Sequence, residues 1–275
     1  KLLKGKAGSI CVMDIYTGEV VAMASSPTYD PNKFTHGINQ KDWKEIKNNP
    51  LKPLINKSIA GLYSPGSTFK PIVYTAAIDN GYSPCYEVVD AAITYAVPGQ
   101  IPPIWRPNNS SGKYSGETMT IRQAMARSVN SITAFIMSKV GPSNVVDYAR
   151  KLGFTSPLNA VPSLCLGTDD VSLYELVGAY ATFINKGNFT KPEYITKIAD
   201  KNGNILQYFI PETREALNEQ TANLMLHMLK GALEERGGSA VTLDPWLKEN
   251  NDIYEGFPSA ESFFVFPIVE VQVSA

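Results

Sequence analysis

Residues 61–71 read "GLYSPGSTFKP", and the fold turns on how they are read. Pro65-Gly66 halts the chain. Ser67 and Lys70 follow three residues apart, and the apolar run "IVYTAAI" occupies 72–78. Residues at i and i+3 share a helix face, so the spacing predicts Lys70 one turn above Ser67. Pro71 lacks the N–H that an established helix uses, so the pair belongs to a first turn or to a 3₁₀-like one. The helix is expected to close at Asp79-Asn80-Gly81.

Working toward the N-terminus, a polar loop rich in Pro and Asn precedes this stretch. Before the loop, "SICVMDIYTGEVVAMASS" reads as a hairpin turning at Thr17-Gly18. Toward the C-terminus, residues 82–119 are rich in Pro, Gly, Ser and Asn and predict a long excursion with short strands. "TIRQAMARSVNSITAFIMSKVG" follows as one helical segment, opened by the capping-box pair Thr120 and Gln123. Pro142 starts a second helix, Ser172 and Glu175 cap a third, and "NEQTANLMLHMLKGALEERGG" is a long amphipathic one. Asn202-Gly203 turns between two strand-like runs. Strands, then helices, then strands predict an α+β domain whose N-terminal hairpin meets something late in the chain.

A serine hydroxyl needs a neighbour to take its proton. A lysine can do so when neutral, a state that burial or a nearby positive charge favours. The free N–H groups of a helix start, including that of Ser67 itself, suit an oxyanion forming on an attacked carbonyl. The spacing alone is weak, since about one chance Ser-x-x-Lys is expected in such a chain. A second one, Ser110 to Lys113, lies in a Gly- and Asn-rich loop without a helix behind it and is read as chance. Ser128-x-Asn130 completes a constellation. Ser128 would relay a proton between Lys70 and the leaving group, and the Asn130 amide would hold a substrate carbonyl and fix Lys70.

Composition narrows the alternatives. The 275 residues are 44% apolar and 19% charged with net charge -1, which gives no reason to expect a nucleic-acid partner. No apolar run is long enough to span a membrane and there is no signal peptide. Without an initiator Met, the chain reads as a piece of a longer protein. Cys11, Cys85 and Cys165 lack metal or disulfide spacing and are expected as buried small hydrophobes. His36 and His227, in a polar loop and a packed helix, are the two histidines, so neither a histidine triad, a metal nor a cofactor is expected.

Ser67-x-x-Lys70 in "GLYSPGSTFKP" and Ser128-x-Asn130 in "IRQAMARSVNSI" resemble the first two active-site motifs of the penicillin-binding protein transpeptidases, over roughly residues 8 to 240. The N-terminal part is similar to class B, elongation-type members, and the remainder to class A, bifunctional ones. The resemblance implies an antiparallel sheet flanked by helices, with an all-helical lobe inserted. It divides one domain, 1–275, into a sheet part near 8–30 and 188–275 and a helical, active-site lobe near 55–187. It implies D,D-transpeptidation: Ser67 attacks the penultimate D-Ala of a peptidoglycan stem peptide, Lys70 is the base, and β-lactams form a stable acyl-enzyme. It also implies an extracytoplasmic site, with a parent protein anchored in the inner membrane and carrying an N-terminal domain absent here. The rivals are a D-Ala-D-Ala carboxypeptidase, a serine β-lactamase and a non-catalytic binding or sensor domain. No candidate deacylating Glu supports the β-lactamase.

One departure stands out. The family's third motif, Lys-Thr-Gly or Lys-Ser-Gly, should fall near residues 252–260, where the sequence is "DIYEGFPSAES", and it occurs nowhere in the chain. A frameshifted or truncated tail, a diverged variant and a pseudoenzyme compete as explanations. The expectation carried forward is a truncated or corrupted tail, with incomplete C-terminal strands and helix and impaired turnover.

Overall fold

The computed structural model describes residues 6–243 except 98 and 100, together with residues 3 and 245. Strand β1 (Gly8–Met13) and β2 (Val20–Ser26) pair antiparallel as the expected hairpin. Asp14 shapes the turn, its carboxylate accepting from the Tyr16 and Thr17 amides at 2.9 and 2.8 Å. Helix α1 (Gln40–Asn48) follows, with the Asn39 side chain accepting from the Asp42 amide at 2.9 Å as its N-cap.

Strand β3 (Leu62–Tyr63) leads into a 3₁₀ turn, Gly66–Phe69, which runs directly into α2 (Lys70–Asp79). Residues 70–78 of α2 are all buried, as a helix apolar on every side must be. The excursion after it holds β4 (Glu87–Val89), β5 (Tyr95–Ala96), β6 (Ile104–Trp105) and β7 (Thr118–Thr120), paired β4 with β7 and β5 with β6.

The segment expected as one helix is two: α3 (Ile121–Ala126), opened by the Thr120–Gln123 capping box, and α4 (Asn130–Val140). The break is a Schellman-type stop. Val129 N–H donates to the Ala124 carbonyl at 2.9 Å and Ser128 N–H to Met125 at 3.0 Å. The left-handed position usually given to glycine is Ser128, at φ 56°. Helix α5 (Pro142–Lys151) starts on its proline.

Strand β8 (Val171–Ser172) pairs with β3, and Ser172 and Glu175 form the second expected capping box at the start of α6 (Leu173–Ile184). Strand β9 (Asn188–Thr190) pairs with β12 (Thr213–Glu215), and β10 (Lys197–Ala199) with β11 (Ile205–Tyr208) around the Asn202-Gly203 turn. Helix α7 (Glu219–Glu234) closes the described core.

Helices α4, α5 and α7 pack around α2, and the largest apolar cluster gathers Phe69, Ile72, Tyr74, Ile132, Leu152, Phe154 and Phe183. A second cluster seats Cys11 and Met13 of the hairpin on Leu173, Val177 and Ala181 of α6. The hairpin also meets a late segment: Val20 N–H donates to Glu193, and Glu193 N–H donates to Gly18, both at 2.8 Å. The fold is thus α+β, with antiparallel strands beside a helical core. The expected C-terminal strands and the 252–260 segment lie outside the described residues.

Two sequence expectations need correction. Cys85 is exposed, unlike the buried Cys11 and Cys165, because it sits in the turn after α2 rather than on a core face. His227 is on α7 but on its solvent side. Among the described residues no helix is long and apolar enough to cross a membrane, and no cluster suited to a metal occurs.

Candidate active site

The 3₁₀ turn at the entrance to α2 leaves Ser67 exposed and Lys70 at 1% exposure. Both follow from the local sequence. Pro65-Gly66 turns the chain sharply, Gly66 at φ 57°, and Lys70 falls on the first fully buried turn. Gly167, at φ 66°, backs this turn: its carbonyl accepts from Gly66 N–H at 3.2 Å and from Ser64 Oγ at 2.5 Å. A Cβ on Gly167 would collide with the Gly66 backbone, 2.6 Å from its nitrogen, so the approach requires glycine. Among the described residues the Ser67 N–H has no hydrogen-bond partner.

All three protons of the Lys70 ammonium find acceptors across the α3–α4 break. They reach the Ser128 carbonyl at 2.7 Å, Ser128 Oγ at 2.9 Å and Asn130 Oδ1 at 2.6 Å. Ser128 Oγ in turn donates to Ser67 Oγ at 3.0 Å. Lys70 therefore reaches Ser67 through Ser128, rather than only by stacking one turn above it. The left-handed Ser128 accounts for this double contact, because the reversal lets one residue present both carbonyl and hydroxyl to one ammonium. Burial pushes the Lys70 pKa down to about 8. The Cys165 thiol, itself buried, is pushed up to about 12 and is neutral at ordinary pH.

The four predicted residues Ser67, Lys70, Ser128 and Asn130 thus meet in one hydrogen-bonded chain. Ser110 and Lys113 form no such pair and are exposed. The sequence reading missed what stands behind Asn130. Val129, the N-cap of α4, has no side chain able to cap it. The Asn109 side-chain oxygen takes that place, accepting from the Asn130 and Ser131 amides at 3.0 and 3.1 Å. Asn109 Nδ2 donates to the buried carboxylate of Asp90 at 2.8 Å. No local signal marked it, because the helix start after Val129 that needs an outside acceptor is itself hidden inside one predicted helical segment.

The Penicillin binding protein transpeptidase domain model matches residues 8–246. "Penicillin-binding protein 1A" of Aquifex aeolicus is 29% identical over 228 residues, covering 83% of this chain and 28% of that protein. The Neisseria meningitidis protein of the same name is 32% identical over 195 residues, 68% of this chain and 24% of its own length. The chain therefore spans about a quarter of these relatives. Among solved structures, penicillin-binding protein A from M. tuberculosis, as a penicillin G acyl-enzyme complex, superposes with TM-score 0.70 at 25% identity, over 82% of this chain and 58% of that one. Pseudomonas aeruginosa PBP2 in complex with WCK 5153 superposes with TM-score 0.73 at 23% identity, over 88% and 58%. The chain belongs to the penicillin-binding protein transpeptidase domain family.

Proposed function

We propose that this domain is a serine D,D-transpeptidase acting on peptidoglycan stem peptides that end in D-Ala-D-Ala, with Ser67 as nucleophile. The hydrogen-bonded chain from Lys70 through Ser128 to Ser67 carries the reading. Neutral Lys70 accepts the Ser128 proton while Ser128 accepts that of Ser67, and Ser67 Oγ bonds to the penultimate D-Ala carbonyl carbon. The free Ser67 N–H stabilises the oxyanion. As the C–N bond breaks, the proton returns through Ser128 to the departing D-Ala nitrogen. An incoming amine then loses its proton by the same route and takes the acyl group from Ser67. Asn130 keeps Lys70 in place and offers its amide to the substrate.

β-Lactams enter as acylating mimics of that dipeptide. The catalytic cleft lies where the helical lobe, about 55–187, meets the sheet part. The domain works outside the cytoplasmic membrane, where peptidoglycan lies, within a longer anchored protein. Without a Lys-Thr-Gly to bind the substrate carboxylate, these 275 residues by themselves would turn over slowly while still acylating.

The test is labelling by a fluorescent penicillin, with the adduct located by mass spectrometry. Slow labelling at Ser67 that vanishes in Ser67→Ala is expected; equal labelling in both proteins would sink the assignment. A D-Ala-D-Ala peptide with a D-amino acid acceptor then separates the readings. Exchange is expected. Hydrolysis alone would make the domain a carboxypeptidase, and a folded protein that never acylates would be a silent binding module.

A further inference from the structure

We infer that Asp90 and Asn109, both in the excursion between α2 and α3, are positioning residues that hold Ser128 and Asn130 against Lys70. This rests on the acyl-transfer reading above and deepens it. Helix α4 begins at Asn130 with a valine cap, so its first amides would be orphaned at a point that must stay fixed. Asn109 Oδ1 satisfies the amides of Asn130 and Ser131 together. The Asn108 carbonyl accepts from Asn130 Nδ2 at 2.8 Å, which turns Asn130 Oδ1 toward Lys70 Nζ. Two consecutive excursion residues thus fix both the backbone and the amide orientation of Asn130.

Asp90 fixes Asn109. It is 4% exposed and has four donors: Asn109 Nδ2 and Ser131 Oγ on Oδ1, and the Ser115 amide and hydroxyl on Oδ2. Burial opposes its charge, but those hydrogen bonds hold its carboxyl below the usual range. One anion therefore joins Asn109 and Ser115, at the two ends of the loop, to Ser131, the second residue of α4, beside the positive end of that helix. Residues 108–116, which look like an unstructured stretch of Asn, Ser and Gly, become the support of the catalytic lysine.

The experiment measures the acylation rate of the whole chain by fluorescent penicillin across pH 6–10, alongside the ¹³Cε shift of Lys70 as a direct reading of its titration. Cys165 is the titratable group facing Lys70, and Tyr74, one turn along α2, is occupied by Thr133. Asn109→Ala is expected to slow acylation of folded protein by up to about a hundredfold, the scale on which a displaced catalytic group costs rate. It should also lower the Lys70 midpoint, because an acceptor of the ammonium withdraws.

Asn218→Ala removes the α7 cap, far in sequence from the site, and serves as the control for stability alone; its acylation rate and midpoint should match wild type. Asn109→Asp alone sets two carboxylates together and should impair. The exchange Asp90→Asn with Asn109→Asp restores donor to acceptor and should recover most of the rate. An Asn109→Ala midpoint that stays or rises, a loss no larger than that of Asn218→Ala, or an exchange as impaired as Asn109→Asp would overturn the inference. If wild type fails to acylate, the transpeptidase reading falls, while the Lys70 titration still decides the positioning role.

Discussion

Ser67-x-x-Lys70 and Ser110-x-x-Lys113 have the same spacing and opposite surroundings. In the first, the lysine is buried at the start of a buried helix, with three acceptors on its ammonium. In the second, both side chains point to solvent in a loop. The loop also turns at Gly112, φ 72°, while the site turns at Ser128, φ 56°, where a side chain is strained. Spacing brings two groups near each other in either case. Burial shifts Lys70 toward the neutral state that can take a proton, and Ser128 links it to Ser67.

The largest expected contrast is between the serines. Ser67→Ala should abolish penicillin labelling and Ser110→Ala should leave it unchanged. The lysines come next: Lys70→Ala should slow acylation by about 10²- to 10⁴-fold, the usual contribution of a general base, and Lys113→Ala should leave it as it is. In wild type the rate should climb with pH through a midpoint near the Lys70 value of about 8, because the neutral amine is the active form. A flat profile from pH 6 to 10 would remove Lys70 as the base and erase the distinction between the pairs.

Ser128→Gly asks whether the strained turn exists for its hydroxyl. Glycine takes the left-handed conformation freely, so the substitution should leave stability within roughly 1 kcal/mol of wild type or raise it, read as an unfolding midpoint. The same change removes the relay between Lys70 and Ser67 and should slow acylation. A faster or unchanged rate would mean that the proton moves directly from Ser67 to Lys70.

Local signals made much of this legible. The turn after Asp14, the 3₁₀ start at Ser67 and the two capping boxes depend on residues within four positions of one another, and each sits where the sequence placed it. The break at Ser128 was hidden because Arg127-Ser128-Val129 contains neither Gly nor Pro and the apolar period runs through it. Tertiary contacts with Lys70 hold it there. Asn109 was hidden for a different reason: it caps a helix 21 residues further on, beyond the reach of any local pattern. The parts of the site that depend on side chains distant in sequence were the ones to escape.

The smallest expected effect compares the two carboxylates that frame the two regions. Asp90 holds the loop, whereas Glu175 holds the nucleophile's side. Glu175 accepts from Thr155, Ser156 and Ser172, at the junction of α6 with β8, and β8 pairs with the β3 strand that leads to Ser67. Burial raises its pKa, yet the hydrogen bonds from Ser156, Thr155 and Ser172 prevail and bring it from 4.5 to about 2. A carboxyl depressed in the folded state stabilises the fold fully above its unfolded pKa, and loses that contribution as pH falls toward the folded value. The window is therefore pH 4.5 down to about 2. Because Glu175 is half-buried, solvent screening reduces the contribution to on the order of 1–2 kcal/mol. Denaturant unfolding from pH 6 to 2 should show this slope in wild type and a shallower one in Glu175→Gln. An identical slope in both proteins would show that Glu175 does not carry the acid sensitivity.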